Sequence, residues 1–165
     1  GPESESEMFA IMSTLAQHEP QQILVLGPHH SGTSLVSRVL SDFGLHLGAK
    51  PELLLDAENP LKYWERRDVV DINKARLIAA TPAPDVPAFV GYGFQSGAGR
   101  PLNASESAGQ VVAKLNANRP WATKDPRMSL LADEWLGLMD RDAACVLTVL
   151  ARSTSMPRTR PCLHS

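Results

Sequence analysis

The sequence contains few of the residues that several common classes of protein require. Only two of its 165 residues are cysteines, Cys145 and Cys162, and their spacing fits neither a disulfide framework nor a zinc site. Cys145 lies in an apolar stretch and is expected to be a buried thiol, whereas Cys162 lies in a polar tail. So few cysteines favour a reducing compartment, and the cytoplasm is the preferred location.

Strong positive charge and long apolar runs are absent as well. The formal net charge is -2, whereas general nucleic-acid binders carry a clear basic excess, so no nucleic-acid partner is expected. No apolar run approaches the roughly 18 residues that a membrane-spanning helix needs. The acidic start "GPESESE" lacks the basic region of a secretory signal.

What the sequence does contain is an alternation of predicted strands and helices. Residues 23–26 form a short apolar run, typical of a strand buried on both faces of a parallel sheet. An apolar stripe at helical spacing follows over residues 33–43. Further helices are predicted at residues 63–79, 105–118 and 129–139, and further strands at 121–124 and 143–150. This pattern predicts an α/β fold, a P-loop-like parallel sheet with flanking helices, and so few strands indicate an incomplete domain.

The chain divides into three predicted segments. Residues 1–20 form an N-terminal helical segment, with apolar residues at helical spacing between positions 8 and 15. Residues 21–151 form the P-loop-like domain, in which the proline- and glycine-rich stretch 81–103 predicts a long loop. Residues 152–165 contain Pro157 and Pro161 without any apolar period, and are expected to be a disordered tail.

The segment "GPHHSGTS" directly follows the first predicted strand and opens a predicted helix. Gly27, Gly32 and Ser34 match the phosphate-loop pattern G-x-x-x-x-G-K-[ST], but Thr33 stands where the pattern has lysine. That lysine neutralises charge on the phosphates of ATP or GTP, so hydrolysis of a nucleoside triphosphate is disfavoured. Backbone amides of residues 30–34 and the nearby hydroxyls still suit a phosphate or phosphosulfate group bound without a metal.

Three stretches of the chain, in order, resemble segments of the sulfotransferase family. "ILVLGPHHSGTSLVSRVL" resembles the segment that binds the 5′-phosphosulfate, and "ENPLKYWERRDVVDIN" resembles the segment that follows in bacterial-type members. "WATKDPRMSLLADEW" is similar to the family's K-D-P-R segment. The resemblance implies transfer of a sulfuryl group from 3′-phosphoadenosine 5′-phosphosulfate (PAPS) to a hydroxyl or amine, with no metal. The acceptor would be a small molecule or a carbohydrate.

The resemblance also implies roles for individual residues. The donor would be bound by residues of the loop and by two arginines: His29, Ser31, Gly32, Thr33, Ser34, Arg127 and Arg152. Lys124 or Arg127 would lie near the donor's phosphates. Glu65 is the first choice for the catalytic base, with His29 and Glu58 as alternatives.

The chain departs from the family pattern at two places. The residue before S-G-T is usually a lysine or arginine that stabilises the transferred group, and here it is His30. Because histidine changes charge between pH 5 and 8, we expect weaker and pH-dependent catalysis. Arg152 follows the last strand where the family binds the 3′-phosphate, but the helix expected next is missing, so Ser153 or Ser155 would have to serve from the tail, as in a truncated or alternatively spliced product.

Other interpretations of the same residues stay open. His29 and His30 could be solvent-facing loop residues, and Arg152 could be a tail charge. Lys124, Asp125 and Arg127 could form a turn with a local ion pair, and Glu65 could be a solvated helix start. At the level of function, the rivals are a catalytically impaired nucleotide-binding isoform and a P-loop small-molecule kinase. A Golgi location and any oligomeric state are compatible with the sequence.

Overall fold

A computed structural model describes residues 20–54, 64–81, 87–89, 94–96, 106–140 and 143–149 of the chain. The described residues form four α-helices and five strands. The helices are α1 (Thr33–Asp42), α2 (Arg67–Ala79), α3 (Ala108–Asn116) and α4 (Met128–Leu136). The strands are β1 (Gln22–Leu26), β2 (Pro87–Phe89), β3 (Phe94–Ser96), β4 (Trp121–Lys124) and β5 (Ala144–Leu147).

The main sheet has three parallel strands in the order β4-β1-β5. The central strand β1 pairs Leu24 with Thr123 on one side and with Cys145 on the other. The predicted parallel α/β architecture is therefore confirmed, with β1 at its centre. Because parallel strands end at the same edge, the segments that follow β1, β4 and β5 meet at the carboxyl edge of this sheet.

Helices cover both faces of the sheet, because alternate side chains of β1 point to opposite sides. Ile23 and Val25 pack on one face with Val36 and Leu40 of α1. Leu24 packs on the other face in a larger core that holds side chains of α2, α3 and α4. We call these two sides the α1 face and the α4 face.

Most predicted elements are confirmed, with shifted ends. The predicted helix 63–79 begins only at Arg67, so Trp64 and Glu65 precede it. The predicted loop 81–103 was wrong in part, because strands β2 and β3 pair within it as an antiparallel hairpin. Residues 1–19 of the predicted helical segment 1–20 and the whole tail 152–165 lie outside the described residues.

Burial differs from expectation at two elements. Cys145 was predicted to be buried, but it is exposed, because β5 lies at one side of the sheet and α4 packs mainly over β1. Three residues of the apolar stripe on α1 are also exposed: Leu35, Val39 and Phe43. None of the described helices has the length and apolar character to cross a membrane.

Candidate functional site

Three hydroxyl groups, those of Ser31, Ser129 and Thr148, hold the loop between β1 and α1 (residues 27–32) in place. The Ser31 hydroxyl lies 2.7 Å from the carbonyl oxygen of Pro28 and 2.7 Å from Oγ1 of Thr148, just after β5. The amide of Gly27 donates to Oγ of Ser129, at the start of α4, over 3.0 Å. Ser31 is thus a buried structural support, as is Gly27, whereas Pro28, His30 and Gly32 are exposed.

The β1–α1 loop leads directly into the first turn of helix α1, which begins at Thr33. Gly32 caps the helix with φ of 92° and has no side chain to bond the first turn. The amides of Leu35 and Val36 both donate to the carbonyl oxygen of Gly32, whereas those of Thr33 and Ser34 have no acceptor among the described residues. Free amides at the positive end of a helix dipole form a binding site for an anion.

A buried ion pair lies against this helix end. Nζ of Lys124 donates to Oε1 of Glu65 over 2.7 Å and to Oγ of Ser34 over 3.3 Å. The side chains of Lys124 and Glu65 are only 3% and 6% exposed. The carboxylate partner of Lys124 is not a residue of its own turn but Glu65, which precedes α2. Lys124 thereby places a cation beside the loop that lacks its own lysine.

The surroundings of Glu65 shift the pKa of its carboxyl group. Burial raises the pKa of the Glu65 carboxyl, and the charge of Lys124 opposes that rise without cancelling it. A carboxylate whose pKa lies above its ordinary range is a stronger base than an exposed one. The side chain of Glu65 is therefore not the solvated helix start that the sequence left open.

The backbone around Glu65 is fixed on both sides. Trp64 has a positive φ of 51°, which is rare and strained for a bulky residue. The carbonyl oxygen of Glu65 accepts from the amide of Leu54 over 2.8 Å. The buried guanidinium of Arg66 binds Glu52 over 2.9 Å and Asp68 over 2.7 Å, so the chain on either side of Glu65 is clamped.

A second buried network fixes Arg127. Nη1 and the amide of Arg127 donate to Oδ1 of Asp125 over 2.7 and 3.1 Å. The other oxygen of Asp125 accepts from Asn73 of α2 over 2.9 Å, and Asn73 accepts from Nε1 of Trp135 over 2.8 Å. The local ion pair that the sequence left open is thus present between Asp125 and Arg127, and side chains of α2 and α4 support it.

The two histidines of the loop have different surroundings. His29 is half-buried, and burial lowers the pKa of its imidazole, assisted by the positive charge of Arg127. His30 is exposed and has a positive φ of 64°. Their ring centroids are 6.5 Å apart. His29 is therefore disposed to stay neutral and to donate or accept a hydrogen bond, whereas His30 faces solvent at the loop tip.

A cavity of about 420 Å³ opens beside the loop. Its lining includes Pro28 and His29 from the loop, Arg127 after β4, Leu130 of α4 and Leu147 of β5. The cavity thus lies where the three parallel strands end, which is the usual position of a ligand in an open α/β sheet.

The fold brings together most of the residues predicted from the sequence. The β1–α1 loop, Glu65, Lys124 and Arg127 meet at the carboxyl edge of the sheet, while Glu58 and Arg152 lie outside the described residues. Sequence reasoning missed three supporting residues. Thr148 supports the β1–α1 loop, Asn73 supports Asp125, and Arg66 fixes the chain around Glu65. Only Thr148 carried a signal, because it lies near the carboxyl end of the predicted strand 143–150 of the same sheet.

Metal ligands do not cluster in the part of the chain that the structure describes: no three histidine, cysteine, aspartate or glutamate side chains are grouped to hold an ion. Comparison with known proteins adds no relative, because no protein-family model, no curated protein and no solved structure matches the chain.

Proposed function

We propose that this protein binds PAPS through a P-loop-like β1–α1 loop and transfers its sulfuryl group to a hydroxyl or amine. The observation that carries the proposal is the position of Lys124, whose Nζ lies 3.3 Å from Oγ of Ser34 and 2.7 Å from Glu65. One cation and one buried carboxylate at the open end of a helix provide the two charged groups that such a transfer needs.

Lys124 replaces the missing lysine of the loop from a neighbouring strand. Thr33 occupies the position where a phosphate loop carries its cation. The Lys124 ammonium reaches the same helix end from the carboxyl end of β4. A cation at this place stabilises the charge that develops on the bridging oxygen and on the moving sulfuryl group.

Glu65 acts as the general base of the proposed reaction. Its carboxylate takes the proton of the acceptor hydroxyl or amine while the acceptor atom forms a bond to sulfur. The bond between sulfur and the bridging phosphate oxygen breaks, and its electron pair stays on the phosphate. The products are a sulfated acceptor and adenosine 3′,5′-bisphosphate, and atoms and charge balance without a redox partner.

The remaining site residues bind the donor. Amides of the loop and of the first turn of α1, with the hydroxyls of Thr33 and Ser34, hold the 5′-phosphosulfate. Arg127, held by Asp125, and His29 lie on the other side of the loop, where they contact the nucleotide part. This arrangement needs no metal ion for charge neutralisation.

Calorimetric titration tests the proposal. We expect the protein to bind adenosine 3′,5′-bisphosphate and to bind ATP with magnesium at least about tenfold more weakly. The double variant Lys124→Met/Glu65→Gln removes both charges of the pair together, so neither is left buried alone. It should weaken binding of the bisphosphate, whereas Lys114→Met on the exposed side of α3 should not.

A radiolabelled donor supplied with a panel of hydroxyl and amine acceptors then measures transfer. Binding of ATP with magnesium in preference to the bisphosphate would point to a kinase and contradict the proposal. Tight binding of the bisphosphate without any transfer would leave a nucleotide-binding protein in place of an enzyme.

A further inference from the structure

Helix α1 carries a row of large apolar side chains on the side that points away from the sheet. Leu35, Val39 and Phe43 are 68%, 43% and 79% exposed, and side chains four residues apart lie on one side of a helix. Phe43 continues the row past the last helical residue, because its amide donates to the carbonyl oxygen of Val39 over 3.0 Å. Thr33 and Ser37, on the opposite side, are buried. Adjacent exposed apolar side chains of this size, which we call the outer row, mark an interaction surface.

The outer row is symmetric about its middle residue. Leu35 and Phe43 each lie four residues from Val39. Two copies of α1 that pack antiparallel around Val39 therefore bring the two valines together, and Leu35 of each copy meets Phe43 of the other. A two-fold interface requires such a surface, because both subunits contribute the same residues to it. The outer row is thus complementary to itself.

Two charged side chains along one border of the outer row have the same symmetry. Arg38 and Asp42 are both exposed, and helical spacing places them on the same border. Among the described residues neither side chain has an ion-pair partner, and a basic residue four positions before an acidic one is the less favourable order for a pair within a helix. In the antiparallel arrangement Arg38 of each copy lies within about 3 Å, along the helix axis, of Asp42 of the other. Opposite charges therefore meet twice across the pair.

We infer that the outer row binds the outer row of a second copy of this chain, in an antiparallel pair of α1 helices. Charge favours this occupant over a membrane surface, because an anionic bilayer selects a basic border, whereas the two charges here cancel. Helix α1 has 10 residues and is about 15 Å long, so the contact is small and a Kd in the micromolar range is expected. Although Leu35 directly follows Ser34, the pairing does not depend on what the neighbouring anion site binds.

Analytical ultracentrifugation of the purified chain at a series of protein concentrations tests this pairing. We expect a shift from monomer to dimer as the concentration rises. Val39→Asp places two carboxylates against each other at the centre of the pair and should raise the Kd of the dimer at least about tenfold. The control Leu138→Asp changes an apolar side chain of the same exposure, 43%, just after α4, and should leave the Kd unchanged.

Charge reversal tests the pairing without altering the outer row. Arg38→Glu and Asp42→Lys change exposed side chains, and each variant places like charges opposite each other at both contacts. Each should raise the Kd of the dimer by roughly threefold to tenfold. An equal mixture of the two variants should recover the dimer, because opposite charges then meet at both contacts. Weakened dimers without recovery in the mixture would overturn the antiparallel pairing.

Two further results would overturn the inference. One is a wild-type chain that remains monomeric at every concentration. The other is a dimer that Val39→Asp and both charge variants leave unchanged, because the contact would then lie on another surface. Sedimentation with vesicles of equal parts phosphatidylcholine and phosphatidylserine examines the alternative occupant: a monomer that binds these vesicles, and loses them in Val39→Asp, would assign the outer row to a membrane and contradict the dimer.

Discussion

At the scale of single residues, the site contains a buried ion pair beside the open end of helix α1. Lys124 and Glu65 form a buried pair, and each side chain is less than a tenth exposed. A buried pair is costly to desolvate and is weak support for stability by itself. Its position at an open helix end therefore favours a role in binding and transfer over a role in packing.

The base assignment predicts a specific effect of Glu65→Gln. Turnover should fall by about 100-fold, which is typical for the loss of a general base, with little change in bisphosphate affinity. Because burial raises the pKa of Glu65, wild-type activity should decline as the pH falls through that raised pKa and the base becomes protonated. Transfer rates measured against pH check this. Glu134→Gln, which removes an exposed carboxylate on α4, should leave rate and profile unchanged.

The variant His30→Arg is expected to be more active than the wild type. A guanidinium stays charged at every physiological pH, whereas histidine changes charge between pH 5 and 8. His30→Arg should therefore raise turnover by about tenfold. The exposed position of His30 tolerates the longer side chain. The control is His46→Arg, at a histidine that pairs with Trp121 at the start of β4, away from the carboxyl edge of the sheet. Equal turnover in wild type and His30→Arg would contradict the prediction.

At the scale of elements, the β1–α1 loop is packed tightly at one end and open at the other. Gly27 has φ of 148°, and a Cβ there would overlap Oγ1 of Thr148 and lie 2.8 Å from its carbonyl oxygen. Gly32 also has a positive φ, but a Cβ there meets nothing within 4 Å. The two glycines thus serve the loop for different reasons, one for space and one for backbone conformation.

This difference predicts unequal losses of stability. Gly27→Ala should destabilise the protein by about 3 kcal/mol or more, because overpacking adds to the strain of the positive φ. Gly32→Ala should cost only about 1 kcal/mol, the strain alone. Urea denaturation of the two variants compares them directly. Equal losses would show that Thr148 moves aside at little cost.

The strand β1, the loop after it and helix α1 could be predicted from the sequence because their signals are local. A short apolar run, two glycines and a helical stripe lie within residues 23–43, and the structure has β1 and α1 there. The ion-pair partner of Lys124 could not be predicted. Helix α2 begins only at Arg67, so Glu65 lies in the segment before the helix, and from there its carboxylate contacts Lys124. The exposure of Cys145 was missed for a related reason: an apolar strand sequence does not reveal whether a helix covers both of its faces.

At the scale of the whole molecule, one amide side chain joins the layers. Asn73 of α2 binds Asp125 after β4 and Trp135 of α4, and all three are buried. Its two hydrogen bonds hold two helices against the carboxyl edge of the sheet. The orientation of Arg127 depends on the same Asp125.

Asn73→Ala should therefore lower the free energy of unfolding by about 2–4 kcal/mol, since it leaves an indole donor and a carboxylate oxygen buried without partners. Bisphosphate affinity should fall as well, because Asp125 no longer holds Arg127 firmly. Thermal or urea denaturation and calorimetry measure the two effects. The comparison variant is Asn118→Ala, whose exposed side chain bonds only a helix-end carbonyl and should change stability by less than about 0.5 kcal/mol.

The central place of β1 affects how the chain folds during synthesis. Leu24 of β1 pairs with Thr123 and Cys145, which leave the ribosome much later than Leu24 itself. Until then its apolar residues have no sheet to join, because non-local parallel pairing must wait for both partners. The nascent chain should thus present Ile23–Leu26 to chaperones until β4 and β5 have been made, and pausing near residue 120 should prolong that contact.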